Sequence, residues 1–266
     1  MIDVHSLTPD QGVLLYRDTT AAPAIEVREH DGVRWLHFGD RAVQSAMLVQ
    51  RPAQVLLPYL QCMLTALVFN PKPSRLLNLG MGGGAFNRFF NAFVPELEID
   101  SVEQDPRVVA TAEQYFGVDG GSCHVDSAER YLARAVENEL MGEGEGERKG
   151  NQSYDLVLCD VYSEDALPRV LKMPQTYQQL EQLTSNSAVL AFNLLPDSEQ
   201  ELLTVLQLAR TAFPFTALLE VPDYRNIVLL ASPQSLAMRQ ESAALKDWLP
   251  DVDTFLATLR RVPDQQ

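Results

Sequence analysis

From Arg75 onward the chain alternates five times between a short apolar run and a segment of helical period, and this alternation restricts the fold more than any other feature. RLLNLG (75–80), LEIDSVEQD (97–105), CHV (123–125), YDLVLCD (154–160) and SAVLAFNLL (187–195) read as strands. Helices are predicted at about 84–92, after Pro106, from Ser127 to about Asn138, at 174–183 and at 197–212. Strand–helix units in series predict a parallel sheet with helices on both faces. The ending differs. FTALLEV and NIVLLAS are separated only by ProAspTyrArg, too little for a helix, and predict an antiparallel hairpin at the sheet edge. Two helices, about 235–247 and 251–261, are expected to close the chain.

Residues 13–50 carry a different period. AIEVREHDGVRWLHF (24–38) alternates apolar and polar residues around Asp31-Gly32, a strong hairpin turn, and a further strand follows at about 42–49. Such a sheet is too small to stand alone and is expected to dock on the main body. The chain therefore divides into a small N-terminal β domain (1–52) and a Rossmann-like catalytic domain (53–266). The latter opens with a helix over 53–69, which ends at Asn70-Pro71. Residues 137–153, charged and glycine-rich without apolar period, read as a mobile surface insertion.

The 266 residues are 46% hydrophobic and 21% charged, enough for a sizeable core. A net charge of −15 with no Lys/Arg cluster argues against a nucleic-acid partner. Acidity suits a cationic small molecule and suits plain solubility equally. MIDVHSLTPD lacks a basic region and an apolar stretch, and Val55–Phe69 is too short and too interrupted to span a bilayer. The expectation is a cytoplasmic protein without a membrane partner. Cys62, Cys123 and Cys159 are odd in number and far apart, and the four histidines form no ligand pair, so no metal is expected. His37, inside an alternating strand pattern, reads as structural.

Gly80, Gly82, Gly83 and Gly84 cluster where the first of the five strands meets its helix. In a doubly wound sheet that turn lies at the carboxyl edge, where ligands bind. Glycine there lets the backbone approach a nucleotide-like molecule, or it relieves crowding between helix and strand. Glu103 ends the next strand, at a distance that suits hydrogen bonds from ribose hydroxyls. Asp126 ends the third, where it could accept from an adenine amino group beside the Ser127 N–H, or cap the following helix through the spacing DSAE. Asp160 ends the fourth and overhangs the reactive end of a ligand laid across the preceding tips. An alkylamine is mostly protonated near neutrality, its pKa being ~10.4, so a positioned carboxylate can orient it and take its proton.

RLLNLGMGGG, SVEQDPRVV, HVDSAERYL and YDLVLCDVYSEDALP, in that order, resemble the polyamine aminopropyltransferases, the spermidine synthase family. Five strand–helix units with a terminal hairpin also match the strand inventory of class I S-adenosylmethionine-dependent methyltransferases. The resemblance implies that doubly wound α/β fold and a small N-terminal antiparallel sheet. It implies transfer of an aminopropyl group from decarboxylated S-adenosylmethionine to an amine, without a metal, and a dimer or tetramer. Carried over by position, Glu103 would hold the ribose, Asp126 and Ser127 the adenine, and Asp160 would be catalytic. Gln44 would lie near the donor, while Tyr59 and Tyr224 would flank the amine channel or simply pack with satisfied hydroxyls.

Two positions depart from the family pattern. Gly83 stands where the family carries an aspartate toward the donor's ammonium, and Ser163 stands where it carries a second acid after Asp160. Glu164 or Asp165 would compensate only if the loop shifts. Each lost carboxylate removes a charge-assisted hydrogen bond of about 1.5–3 kcal/mol. Gly83 also removes a charge that would repel the carboxylate of intact S-adenosylmethionine. A methyltransferase on the same fold, and a non-catalytic nucleoside-binding homologue, are therefore the alternatives.

Overall fold

The computed structural model describes residues 7–8, 10–39, 43–119, 123–141, 153–161, 167–239 and 245–262 of the 266. Strands β1 (Val13–Asp18), β2 (Ile25–His30), β3 (Val33–Phe38) and β4 (Val43–Leu48) form an antiparallel sheet in that order. The β2–β3 turn is Asp31-Gly32, both with positive φ, as a two-residue hairpin of right-handed strands demands. The alternation of β2 and β3 sends Ile25, Val27 and Leu36 to one face. There they pack with Met47 of β4 on Val108, Ala112 and Phe116 of α4 (Pro106–Phe116). That contact docks the small sheet on the large one. Helix α4 begins where expected, with Pro106 at its first position and the Asp105 carboxylate accepting from the Arg107 N–H.

The large sheet contains β5 (Arg75–Leu79), β6 (Glu98–Glu103), β7 (Cys123–Val125), β8 (Tyr154–Cys159), β9 (Thr184–Leu194), β10 (Phe215–Glu220), β11 (Ile227–Ser232) and β12 (Arg260–Arg261). Their spatial order is β12-β10-β11-β9-β8-β5-β6-β7. β7 to β9 pair in parallel through β6, β5 and β8, and β11, β10 and β12 add antiparallel. The central strands β5, β8, β9 and β11 lie largely buried on both faces, which is why they read as nearly continuous apolar runs. Successive residues alternate sides. Leu76, Leu156, Leu158, Ala191 and Leu230 meet α1 (Pro58–Met63), α2 (Ala66–Phe69), α3 (Ala85–Phe93) and α8 (Val252–Ala257). Leu77, Leu79, Val157, Leu190 and Leu229 meet α5 (Ala128–Met141), α6 (Pro174–Leu183) and α7 (Glu199–Arg210). The fold class expected from the sequence is the one observed.

Three local expectations are corrected. The helix expected over 53–69 begins only at Pro58 and breaks after Met63, where the Thr65 N–H and hydroxyl both turn back to the Cys62 carbonyl. Of the C-terminal helices expected at 235–247 and 251–261, the described residues show only α8; residues 240–244 lie outside the described set. Residues 235–239 are not helical, and Arg260–Arg261 join the sheet against Ala217 and Leu218. The insertion expected from residue 137 starts as helix, because α5 continues to Met141; residues 142–152 lie outside the described set. No described helix is long and apolar enough to cross a membrane.

Candidate functional site

β5 and β8 lie side by side, but the chain leaves β5 toward β6 on one flank and reaches β8 on the other. A crevice opens at such a reversal, outside the carboxyl ends of the strands. A cavity of about 1370 Å³ occupies it.

Its floor is the glycine turn. Gly80 has φ +87°, and a Cβ there would overlap the carbonyl oxygen of Asp160, so β8 can end beside β5 only if residue 80 is glycine. Gly80 and Gly82 line the cavity. Gly83 and Gly84 are turned elsewhere. The Gly83 N–H donates to Ser45 Oγ of β4 at 2.8 Å, and a Cβ on it would stand 2.7 Å from Ser45 Cβ. Gly84, the left-handed N-cap of α3, abuts Val118. Arg88 of α3, buried, fixes the turn further by donating to the Gly83 carbonyl, to Phe116 O at 3.2 Å and to Pro52 O at 2.8 Å.

Three carboxylates line the cavity from successive strand ends. Glu103 accepts the Gly82 N–H on Oε2 and the Asp105 N–H on Oε1, each at 3.1 Å. Burial pushes its pKa up, and these backbone donors oppose the rise. Asp126 is engaged by its own helix: it accepts the Ser127 N–H at 2.9 Å and faces Arg130 at 3.2 Å and Arg134 at 3.1 Å. Ser127, not Asp126, caps the helix: its Oγ accepts the Arg130 N–H, while the Asp126 N–H donates to the Glu103 carbonyl at 3.1 Å, so the Asp126–Glu129 box offered by DSAE is not the arrangement formed. Asp126 lines the cavity; the Ser127 N–H is directed at Asp126.

Asp160 sits at the fourth tip. Its N–H donates to Leu79 O at 2.8 Å, and Asn193 Nδ2 of β9 donates to its Oδ1 at 2.7 Å. Burial raises its pKa to about 6 against the lowering hydrogen bond of Asn193, with the Glu103 charge adding to the rise. Tyr59 of α1 and Tyr224 of the β10–β11 turn line the same cavity, as does Gln44 of β4. The Tyr59 hydroxyl titrates well above its ordinary value because of burial, then Asp160, then Tyr224. Ser163, Glu164 and Asp165 lie outside the described residues.

Asn193 and Asn226 escaped the sequence reading. The available signal was a polar residue near the end of an otherwise apolar strand, LAFNLL, and another just before the next strand. The lining charges are lopsided: Glu103, Asp105, Asp126, Glu129, Asp160 and Asp197 face a single cation, Arg169, among the described lining residues. Such a cavity favours a cationic ligand. The thiols offer no nucleophile: burial pushes Cys62 and Cys159 to about 12 and Cys123 to about 11. His37 is buried in β3 with Nε2 at 3.4 Å from Glu26, a structural position. No group of three His, Cys, Asp or Glu that could hold a metal occurs among the described residues.

No family model matches the chain. It is 28% identical over 246 residues to a polyamine aminopropyltransferase of Vibrio vulnificus, an alignment covering 88% of this chain and 78% of that one. A crystal structure described as a probable spermidine synthase from Corynebacterium glutamicum superposes with a TM-score of 0.72 at 14% identity, covering 96% of this chain and 91% of the other. Human methyltransferase-like protein 13 in complex with SAH superposes with a TM-score of 0.56 at 22% identity, covering 78% and 93%. The chain is thus similar in sequence to a polyamine aminopropyltransferase and has the S-adenosylmethionine-methyltransferase-like fold.

Proposed function

We propose that the protein transfers an aminopropyl group from decarboxylated S-adenosylmethionine to an amine. The observation that carries this reading is Asp160, a carboxylate with its pKa raised to about 6, sharing one acidic cavity with Glu103 beside a glycine turn. Its homology to polyamine aminopropyltransferases supports the same reaction.

In this reading Glu103 receives the ribose hydroxyls, with Gly80 and Gly82 allowing the backbone to approach the nucleoside while Gly83 and Gly84 hold the turn's shape. Asp126 faces the adenine amino group, which requires it to turn from Arg130 or Arg134; Ser127 then frees its N–H for a ring nitrogen. Gln44 contacts the donor, and Tyr59 and Tyr224 flank the amine. The amine nitrogen forms a C–N bond at the carbon beside the sulfonium. The C–S electron pair returns to sulfur, which leaves as the neutral thioether of methylthioadenosine. The proton shed by the new ammonium passes to Asp160. Positioned proton acceptors of this kind contribute about 10²–10⁴ in rate. Residues 1–52 form the small domain and 53–266 the catalytic one, and assembly is as dimers or tetramers.

Methyl transfer from intact S-adenosylmethionine is the second reading, favoured by Gly83, where an aspartate would add one more charge against the donor's own carboxylate. Calorimetric titration with both donors separates the two. Tighter binding of the decarboxylated donor supports aminopropyl transfer; tighter binding of the intact one supports methyl transfer.

A further inference from the structure

Asp160 is the end of a hydrogen-bond chain that crosses three adjacent strands. Asn226, immediately before β11, donates through Nδ2 to Asn193 Oδ1 at 2.9 Å, and Asn193 Nδ2 donates to Asp160 Oδ1 at 2.7 Å. β11 lies beside β9 and β9 beside β8, so the chain follows the carboxyl edge of the sheet from the terminal hairpin to the cavity. A primary amide can turn over and present either its oxygen or its nitrogen. The carboxylate at one end sets the direction of the chain: it accepts from the Asn193 nitrogen, which leaves the Asn193 oxygen to accept from Asn226. That nitrogen finds its acceptor in the Asp160 carboxylate, and the bond is stronger when the carboxylate is ionised. No other described residue donates to the Asp160 carboxylate.

Building on the aminopropyl-transfer reading, we infer that Asn193, held in place by Asn226, is a positioning residue that reserves Oδ1 of Asp160 and leaves Oδ2 as the proton acceptor for the amine. The other titratable groups around Asp160 work the opposite way or stand aside. Glu103 from β6 repels its charge, and Cys159 and Tyr59 face it from β8 and α1 with pKa values raised by burial. Asp197, Tyr224 and Arg169 line the same cavity. Asn193 is therefore the group that keeps a buried carboxylate ionised near neutral pH. The terminal hairpin supplies both Tyr224 to the cavity and, through Asn226, a hydrogen bond that holds Asn193.

The test compares wild type, Asn193→Leu and Asn226→Ala in two measurements: the pH dependence of kcat/KM with decarboxylated donor and putrescine, and a ¹³C NMR titration of the Asp160 carboxyl. With the hydrogen bond gone, the Asp160 titration and the acidic limb of the rate both move up by about one to two pH units in Asn193→Leu. Asn226→Ala, at a half-exposed turn, moves them the same way by less. A fall in rate with neither the limb nor the carboxyl titration displaced in the two variants would reduce the asparagines to structural packing and overturn the inference. Should Asn193→Leu fail to fold, Asn226→Ala carries the same two outcomes. A wild type that releases no methylthioadenosine, while the carboxyl titration still moves up in Asn193→Leu, would sink the aminopropyl reading and leave standing the role of Asn193 in keeping Asp160 ionised.

Discussion

The Gly83 N–H donates to Ser45 Oγ at 2.8 Å, joining the glycine turn of the large sheet to strand β4 of the small one. Residue 83 is thus closed in by a neighbour from the N-terminal sheet. A Cβ on residue 83 would stand 2.7 Å from Ser45 Cβ. Gly83→Asp alone is expected to lower Tm by several degrees, in the range that forcing atoms into a packed site costs, and to weaken both donors. Gly83→Asp with Ser45→Gly is expected to recover Tm and to favour the decarboxylated donor. Thermal unfolding and calorimetry of the two variants check this.

Asp160 links activity and stability with opposite signs. Burial raises its pKa to about 6, so the folded chain binds a proton more tightly than the unfolded one. The stability it contributes is therefore present below about pH 4 and is lost as pH rises through about 6. Asp160→Asn is expected to cut kcat by about 10²–10⁴ while leaving the protein more stable at pH 8 by ~1–3 kcal/mol. Urea unfolding at pH 4 and pH 8 shows whether the gain appears only at the higher pH.

The same titration shapes the rate profile. As pH falls through about 6, log kcat/KM for wild type is expected to gain one additional unit of slope, because protonated Asp160 cannot accept from the amine. In Asp160→Asn that additional slope disappears.

A second carboxylate gives a contrasting control. Burial alone would raise Asp100, but hydrogen bonds from His124 and Tyr154 and the Arg75 guanidinium, at 2.6 Å, hold it at about 2. Its contribution is present above about pH 4 and is lost as pH falls through about 2. Asp100→Asn is expected to cost about 2 kcal/mol at pH 7, with little cost at pH 2. Asp100 lies in the middle of β6, away from the strand tip, so kcat is expected to stay within about twofold of wild type.

How much of this could be read from residues alone depended on how local each signal was. Glu103, Asp126 and Asp160 each end a run that local pattern identifies as a strand, and parallel topology then brings their tips to one edge. All three line the cavity. Asn193 was invisible because its role arises from a long-range event, the antiparallel insertion of β11 between β9 and β10, which sets Asn193 opposite Val228 and brings Asn226 within reach. Strand β12 is two arginines with no alternation to detect, and it exists only because β10 offers an edge. The glycine cluster was found but not apportioned: only neighbours distant in sequence, Ser45 and Val118, distinguish the glycines that hold the turn from those that face the cavity.

Product analysis by mass spectrometry, after mixing the protein with decarboxylated S-adenosylmethionine and a panel of di- and polyamines, addresses the proposed chemistry most directly. The expected result is methylthioadenosine and an aminopropylated amine in equal amounts from wild type, and a loss of at least about a hundredfold in rate for Asp160→Asn. No methylthioadenosine with any amine, or equal rates from the two proteins, would contradict it.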